Sequence, residues 1–214
     1  DSILQLHNPN NLKKGGNFLD RLIFDEILSN FLINSSIRKK IKKIKKNKKK
    51  FELKPFDEIR KKINFELTND QLKAIKQIND DLTSDQKMFR LLQGDVGSGK
   101  TIVALISCLN TISSKFQAAF MAPTEILAKQ HFNLAKKLFG KNINISILTS
   151  KTEYAQRKRI IKDLRTNKID MIFGTHSLFQ EKIKFFNLGL IVIDEQHKFG
   201  VKQRKKLSDK GGRN

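Results

Sequence analysis

Acidic residues are scarce in this chain. Only 21 Asp and Glu stand against 43 Lys and Arg in 214 residues, a formal net charge of +22. Such a surface is unsuited to a cationic partner and favours a polyanion, of which nucleic acid is the commonest. Abundant Lys, Asn and Ile, as an AT-rich genome produces, account for part of that excess. Cysteine is almost absent: the single Cys108 excludes an intramolecular disulfide, and its apolar neighbours mark it as a small core residue. No apolar run approaches the ~18 residues that cross a membrane, and no secretory signal opens the chain, so a cytoplasmic protein without a membrane partner is expected. Internal repeats are lacking too, which sets aside solenoids and propellers. An initiator Met is missing, and the chain stops in the polar run Lys210–Asn214. It reads as a fragment.

What is present divides into segments. Residues 1–16 are polar and read as a linker. Residues 17–50 read as a basic amphipathic helical segment, with Asn17 as N-cap and Asp20 in the first turn. Phe18, Leu22, Ile23, Ile27, Leu28, Phe31 and Leu32 recur at helical spacing, and Ile37, Ile41 and Ile44 continue it among lysines. Those lysines form either a phosphate-contacting face or a solvated flank. From about Phe65, apolar runs alternate with helical patterns, the signature of a parallel α/β domain. Strands are predicted at 88–93, 116–121, 143–149, 169–174 and 188–193, and helices at 70–82, 100–112, 124–139 and 153–166. The predicted fold is a RecA-like P-loop domain over 51–214, its parallel sheet covered by helices on both faces.

Two segments carry the chemistry. Residues 94–101, Gly-Asp-Val-Gly-Ser-Gly-Lys-Thr, form a complete phosphate-binding loop between a predicted strand and a predicted helix. Gly94, Gly97, Ser98 and Gly99 let the backbone close on phosphates. Lys100 is expected to reach the β/γ-phosphates, and the Thr101 hydroxyl to ligate Mg²⁺. Downstream, the strand Leu190–Ile193 ends in Asp194-Glu195, suited to holding Mg²⁺ and to activating a water as general base. Lys100, Asp194 and Glu195 are therefore the expected catalytic residues of nucleoside triphosphate hydrolysis, with ATP and Mg²⁺ as cofactors.

Asp194-Glu195-Gln196-His197 resembles motif II of superfamily 2 helicases. Together with Met121–His131, Gly174–Gln180 and the continuation through Arg204, it is similar to the RecG family of ATP-dependent DNA helicases. The resemblance implies roles for further positions. Gln71, in Phe65–Gln71, would read the adenine edge, and His197 would sense the γ-phosphate. Pro123, Thr124 and Glu125, with Gly174, Thr175 and His176, would grip a DNA strand through its phosphates. Lys198–Lys206 would couple hydrolysis to duplex movement, or form a solvated basic helix. His131 lies on one helical stripe with Leu127, Leu134 and Leu138 and reads as structural. The implied partner is branched or forked duplex DNA, the implied state a monomer. A wedge domain before residue 1, and a second motor domain with an arginine finger, would belong to the complete protein, so this chain is expected to turn ATP over slowly. Two alternatives stay open: a transcription-repair coupling translocase, against which Gln196 argues, and a non-catalytic basic DNA-binding scaffold.

The lysine face yields a first test. If Lys42, Lys43, Lys45 and Lys46 contact phosphates, replacing them with Gln should flatten the salt dependence of DNA affinity by about 0.9 per lost contact in a log–log titration. An unchanged slope assigns them to the solvated flank.

Overall fold

The computed structural model describes residues 15–42, 66–85, 87–180 and 182–195. The expectations for residues 1–14, for Ile44 and the lysines beyond it, and for Gln196, His197 and the basic run after them lie outside the described residues. The described residues fall into two compact units, one holding 15–42, 85 and 87–89 and the other 66–84, 90–180 and 182–195.

Among its described residues the first unit holds a long helix, α1 (Gly15–Lys42). It starts two residues before the predicted cap, so Asn17 is an interior residue and the first turn holds no acid. Helix boundaries shift by this much because Gly15 and Gly16 accept helical angles as readily as any others. Arg21 pairs with Asp25 one turn on, at 3.2 Å, and lies over the Phe24 ring.

The second unit is an α/β layer. Its elements are α2 (Asn69–Thr83), α3 (Lys100–Ser113), β1 (Gln117–Met121), α4 (Glu125–Phe139), β2 (Ile145–Leu148), α5 (Tyr154–Arg165), β3 (Met171–Gly174), a 3₁₀ turn (His176–Phe179) and β4 (Leu188–Ile193). The sheet order is β2-β3-β1-β4, and every neighbouring pair is parallel. All five β1 residues are buried, as a strand covered on both faces requires. Alternation along the strands sorts the two layers. Phe120 and Phe173 stack at 5.3 Å and meet His131 and Phe132 of α4. Ala119, Met121 and Ile172 point the other way, into a cluster with Ile160 and Leu164 of α5. Both faces are thus covered, as expected from sequence. Cys108 is fully buried within α3, and burial pushes its thiol well above the ordinary range, in keeping with a core role.

One predicted strand does not form. Residues 88–93 make no ladder, and Phe89 and Leu91 are exposed. An apolar run signals a face to bury, but a strand also needs a partner edge. Here Arg90, in mid-run, is held by α2 instead, through Asp81 Oδ2 at 2.7 Å and Gln77 Oε1 at 2.8 Å.

The base of the sheet is tied by one side chain. Gln117, buried at the start of β1, donates from Nε2 to the Leu164 and Ile169 carbonyls, at 3.0 and 2.7 Å. Its Oε1 accepts from the Phe186 and Asn187 N–H groups, at 2.8 and 3.1 Å. Every hydrogen-bonding site of the amide is used. Gln117→Leu keeps much of the volume but takes the amide from the Ile169 carbonyl and the Asn187 N–H, and leaves the Leu164 carbonyl and the Phe186 N–H with only their mutual 3.2 Å bond. At about 1–3 kcal/mol for each unsatisfied group, with partial relaxation, it should lower stability by roughly 3–5 kcal/mol in denaturant unfolding. A loss under about 1 kcal/mol would show that water replaces the amide.

Candidate nucleotide-binding site at the carboxyl edge of the sheet

Because all four strands run the same way, their carboxyl ends share one edge, where ligands bind in open α/β sheets. Asp194 follows β4, Ala122–Glu125 follow β1, Thr149-Ser150 follow β2 and Thr175 follows β3. Residues distant in sequence thereby come together on that edge.

The phosphate loop enters α3 through Gly99, whose left-handed backbone (φ +81°) forms the N-cap without a side-chain acceptor. Helices α2 and α4, in contrast, are capped by the Thr68 and Thr124 hydroxyls. The first turn of α3 is left suited to an external anion. Lys100 folds its ammonium back into the loop and donates to the Gly94 carbonyl at 2.8 Å and to the Asp95 carbonyl. Those are neutral acceptors that a phosphate oxygen can replace with a stronger, charge-assisted bond.

Gln71 closes the loop from the side. Its Oε1 accepts from Thr68 N–H at 2.9 Å, completing the capping box of α2, and its Nε2 donates to the Ser98 carbonyl at 2.9 Å. A Cβ at Gly99 would run into that amide, whereas one at Gly97 would meet nothing within 4 Å.

Asp194 is half-buried. Its backbone N–H donates to the Met121 carbonyl at 2.8 Å, extending the β1–β4 ladder. His131 Nε2 lies 2.9 Å from Asp194 Oδ2. That imidazole, more than any other neighbour, holds the carboxyl below the usual carboxylate range, against the opposing effect of burial, with the Glu195 N–H and the Lys100 charge adding to it. Asp194 is thus an ionised, hard oxygen donor near the loop lysine. Among the described residues no three His, Cys, Asp or Glu gather into a metal cage. A Thr hydroxyl and one carboxylate fit Mg²⁺, which takes its remaining ligands from phosphates and water. Glu195 follows in a left-handed conformation (φ +52°).

The predicted DNA contacts differ in their exposure. Thr124 and His176 are exposed, and Thr175 and Pro123 are partly so. Thr124 also caps α4, its Oγ1 accepting from Leu127 N–H at 3.3 Å. Gly174 is buried, its carbonyl taken by Ala122 N–H at 3.0 Å. The Glu125 carboxylate accepts from the N–H and hydroxyl of Ser150, which holds its pKa down. The His131–Asp194 contact was not foreseen. His131 does pack in the core against Phe120, as its helical stripe implies, yet its polar edge reaches Asp194. The only sequence signal was a polar ring on an otherwise apolar face.

The DEAD/DEAH box helicase family matches residues 68–212. The chain belongs to that family. Within it, the chain is 42% identical over 212 residues to the ATP-dependent DNA helicase RecG of Thermotoga maritima, covering 99% of this chain and 27% of that protein. It is likewise 42% identical to RecG of Aquifex aeolicus, covering 98% of this chain and 27% of that protein. It therefore spans about a quarter of the length of these helicase relatives. The structure of RecG bound to a three-way DNA junction superposes with a TM-score of 0.75 at 41% identity, over 94% of this chain and 28% of that one. The UvsW helicase of bacteriophage T4, at 16% identity and a TM-score of 0.56 over 78% of this chain and 58% of that one, shares the fold. This likeness to other helicases fits the RecA-like architecture expected from sequence, and no described helix is long and apolar enough to cross a membrane.

The two loop glycines separate backbone strain from crowding. Gly97→Ala should weaken ATP binding about tenfold, the ~1–2 kcal/mol cost of a left-handed Ala. Gly99→Ala, which adds the collision with Gln71, should weaken it by roughly a further tenfold or more in a fluorescent-nucleotide titration. Equal losses would mean that Gln71 leaves the loop when nucleotide binds.

Proposed function

We propose that this chain is the ATP-binding motor domain of a RecG-type helicase that remodels branched DNA, such as stalled forks and Holliday junctions, in the cytoplasm during recombination and repair. The observation that carries the reading is the phosphate loop beside an ionised Asp194 in a chain so similar to RecG along its whole length.

In this reading Lys100 exchanges its loop carbonyls for the β/γ-phosphates, while Gly94, Gly97, Ser98 and Gly99 supply backbone around them. Thr101 and Asp194 would hold Mg²⁺, which neutralises phosphate charge. Glu195 accepts the proton of the attacking water. Gln71 reads adenine with the second N–H and second lone pair of its amide while keeping Thr68 and Ser98, so base recognition would be felt directly at the phosphate loop. His197 serves as γ-phosphate sensor. Thr124, Thr175 and His176 touch the DNA backbone, sequence-independently. Pro123, Glu125 and Gly174 shape that surface. A carboxylate repels phosphate, so Glu125 contributes by tethering Ser150. The wedge and the second motor domain of the RecG type supply strand separation and the arginine finger. Residues 17–50 link wedge to motor, and the motor begins near Phe51. The protein acts as a monomer.

Lys100→Ala is the decisive variant. In the full-length protein, DNA-stimulated ATP turnover on forked substrate should fall on the order of 10²–10³-fold, with fork remodelling lost in parallel. Remodelling that survives the substitution would instead favour the scaffold reading, and stimulation by RNA polymerase but not by forks would favour the transcription-repair translocase.

A further inference from the structure

The contact between His131 and Asp194 is built from three directions. The carboxylate is anchored at its backbone by β1, through Asp194 N–H to the Met121 carbonyl at 2.8 Å. The imidazole is fixed by packing: its ring lies 4.9 Å from that of Phe120, which is itself stacked on Phe173. With its side chain only 11% exposed, His131 has little freedom to turn away from Oδ2 at 2.9 Å. An ionised carboxylate only accepts hydrogen bonds, so Nε2 must carry the proton and donate. A carboxylate offers about four acceptor positions. One bond from His131 and one from the Glu195 N–H leave room for a cation or its water.

We propose that His131 is a positioning residue for Asp194: its Nε2–H fixes the carboxylate rotamer that holds Mg²⁺, tying that carboxylate to the helix that begins at the Thr124 cap. The inference rests on the reading of Asp194 as the metal-holding residue. Ligating side chains held by an outer hydrogen bond typically lose 10- to 100-fold in metal affinity when that bond is removed.

The test is Mg²⁺-dependent binding of a fluorescent ATP analogue to the protein, with thermal midpoints recorded alongside. His131→Phe keeps a ring against Phe120 and removes the donor. His131→Gln loses the ring and keeps an N–H at the same reach. Asp194→Asn is measured in parallel, and His131→Met, which also lacks a donor, replaces the Phe variant if that one does not fold. His131→Phe and Asp194→Asn should each raise the Mg²⁺ needed for half-maximal binding roughly tenfold or more. His131→Gln should stay near wild type, and metal-free nucleotide affinity should not change. A shift in Asp194→Asn without one in His131→Phe overturns the role of His131 alone. No shift in Asp194→Asn removes the metal reading and this inference with it. Equal shifts in the Phe and Gln variants, accompanied by lower thermal midpoints, reduce His131 to a packing residue and also overturn it.

Discussion

The sheet hangs on the amide of Gln117. Four hydrogen bonds from one buried side chain join the start of β1 to the end of α5, the approach to β3 and the approach to β4. A one-residue slip of β3 or β4 against β1 would break part of that set and turn apolar side chains to the wrong face. The β1–β4 register shifts between Gln117 and Ala118, and from Ala118 the pairing runs unbroken to the far end. There Ile193 pairs with Met121, and Asp194 arrives beside the carbonyl that anchors it and the imidazole that holds its carboxylate. Gln117 and Asp194 thus stand at opposite ends of the β1–β4 pair.

The phosphate loop follows a different economy. Gly97 and Gly99 take left-handed angles, the helix lacks a side-chain cap, and the lysine rests on neutral groups, the Gly94 and Asp95 carbonyls and the Ser98 hydroxyl. Each feature is a weak point in a free protein and becomes favourable once an anion arrives. Gln71 stands between the two situations. It completes a capping box on one side and holds the Ser98 carbonyl on the other, so the helix that would recognise a base is already joined to the loop that would hold phosphates.

Much of this was legible in the residues. The loop Gly94–Thr101, the strand ending in Asp194-Glu195, and the alternation of strands and helices from β1 onward needed only period, spacing and turn chemistry. Thr124 was readable as a cap because a hydroxyl before an amphipathic run has a local reason to be there. The failures were non-local. Residues 88–93 have the composition of a strand, yet Arg90 is held by Asp81 and Gln77, partners that no local pattern announces. Gln117 carries no local signal of its four partners, and His131 shares its stripe with leucines, which marks it as structural.

The sequence by itself determined the elements, the phosphate loop and the class of chemistry, because periodicity, glycine placement and capping act over a few residues and leave a local imprint. Tertiary structure alone decided the strand order β2-β3-β1-β4 and the satisfaction of the buried amide. It also decided that Glu125 is tethered to Ser150 and that His131 meets Asp194. Those contacts join residues tens of positions apart, and their energies depend on burial and register. Such quantities exist only once the sheet has formed.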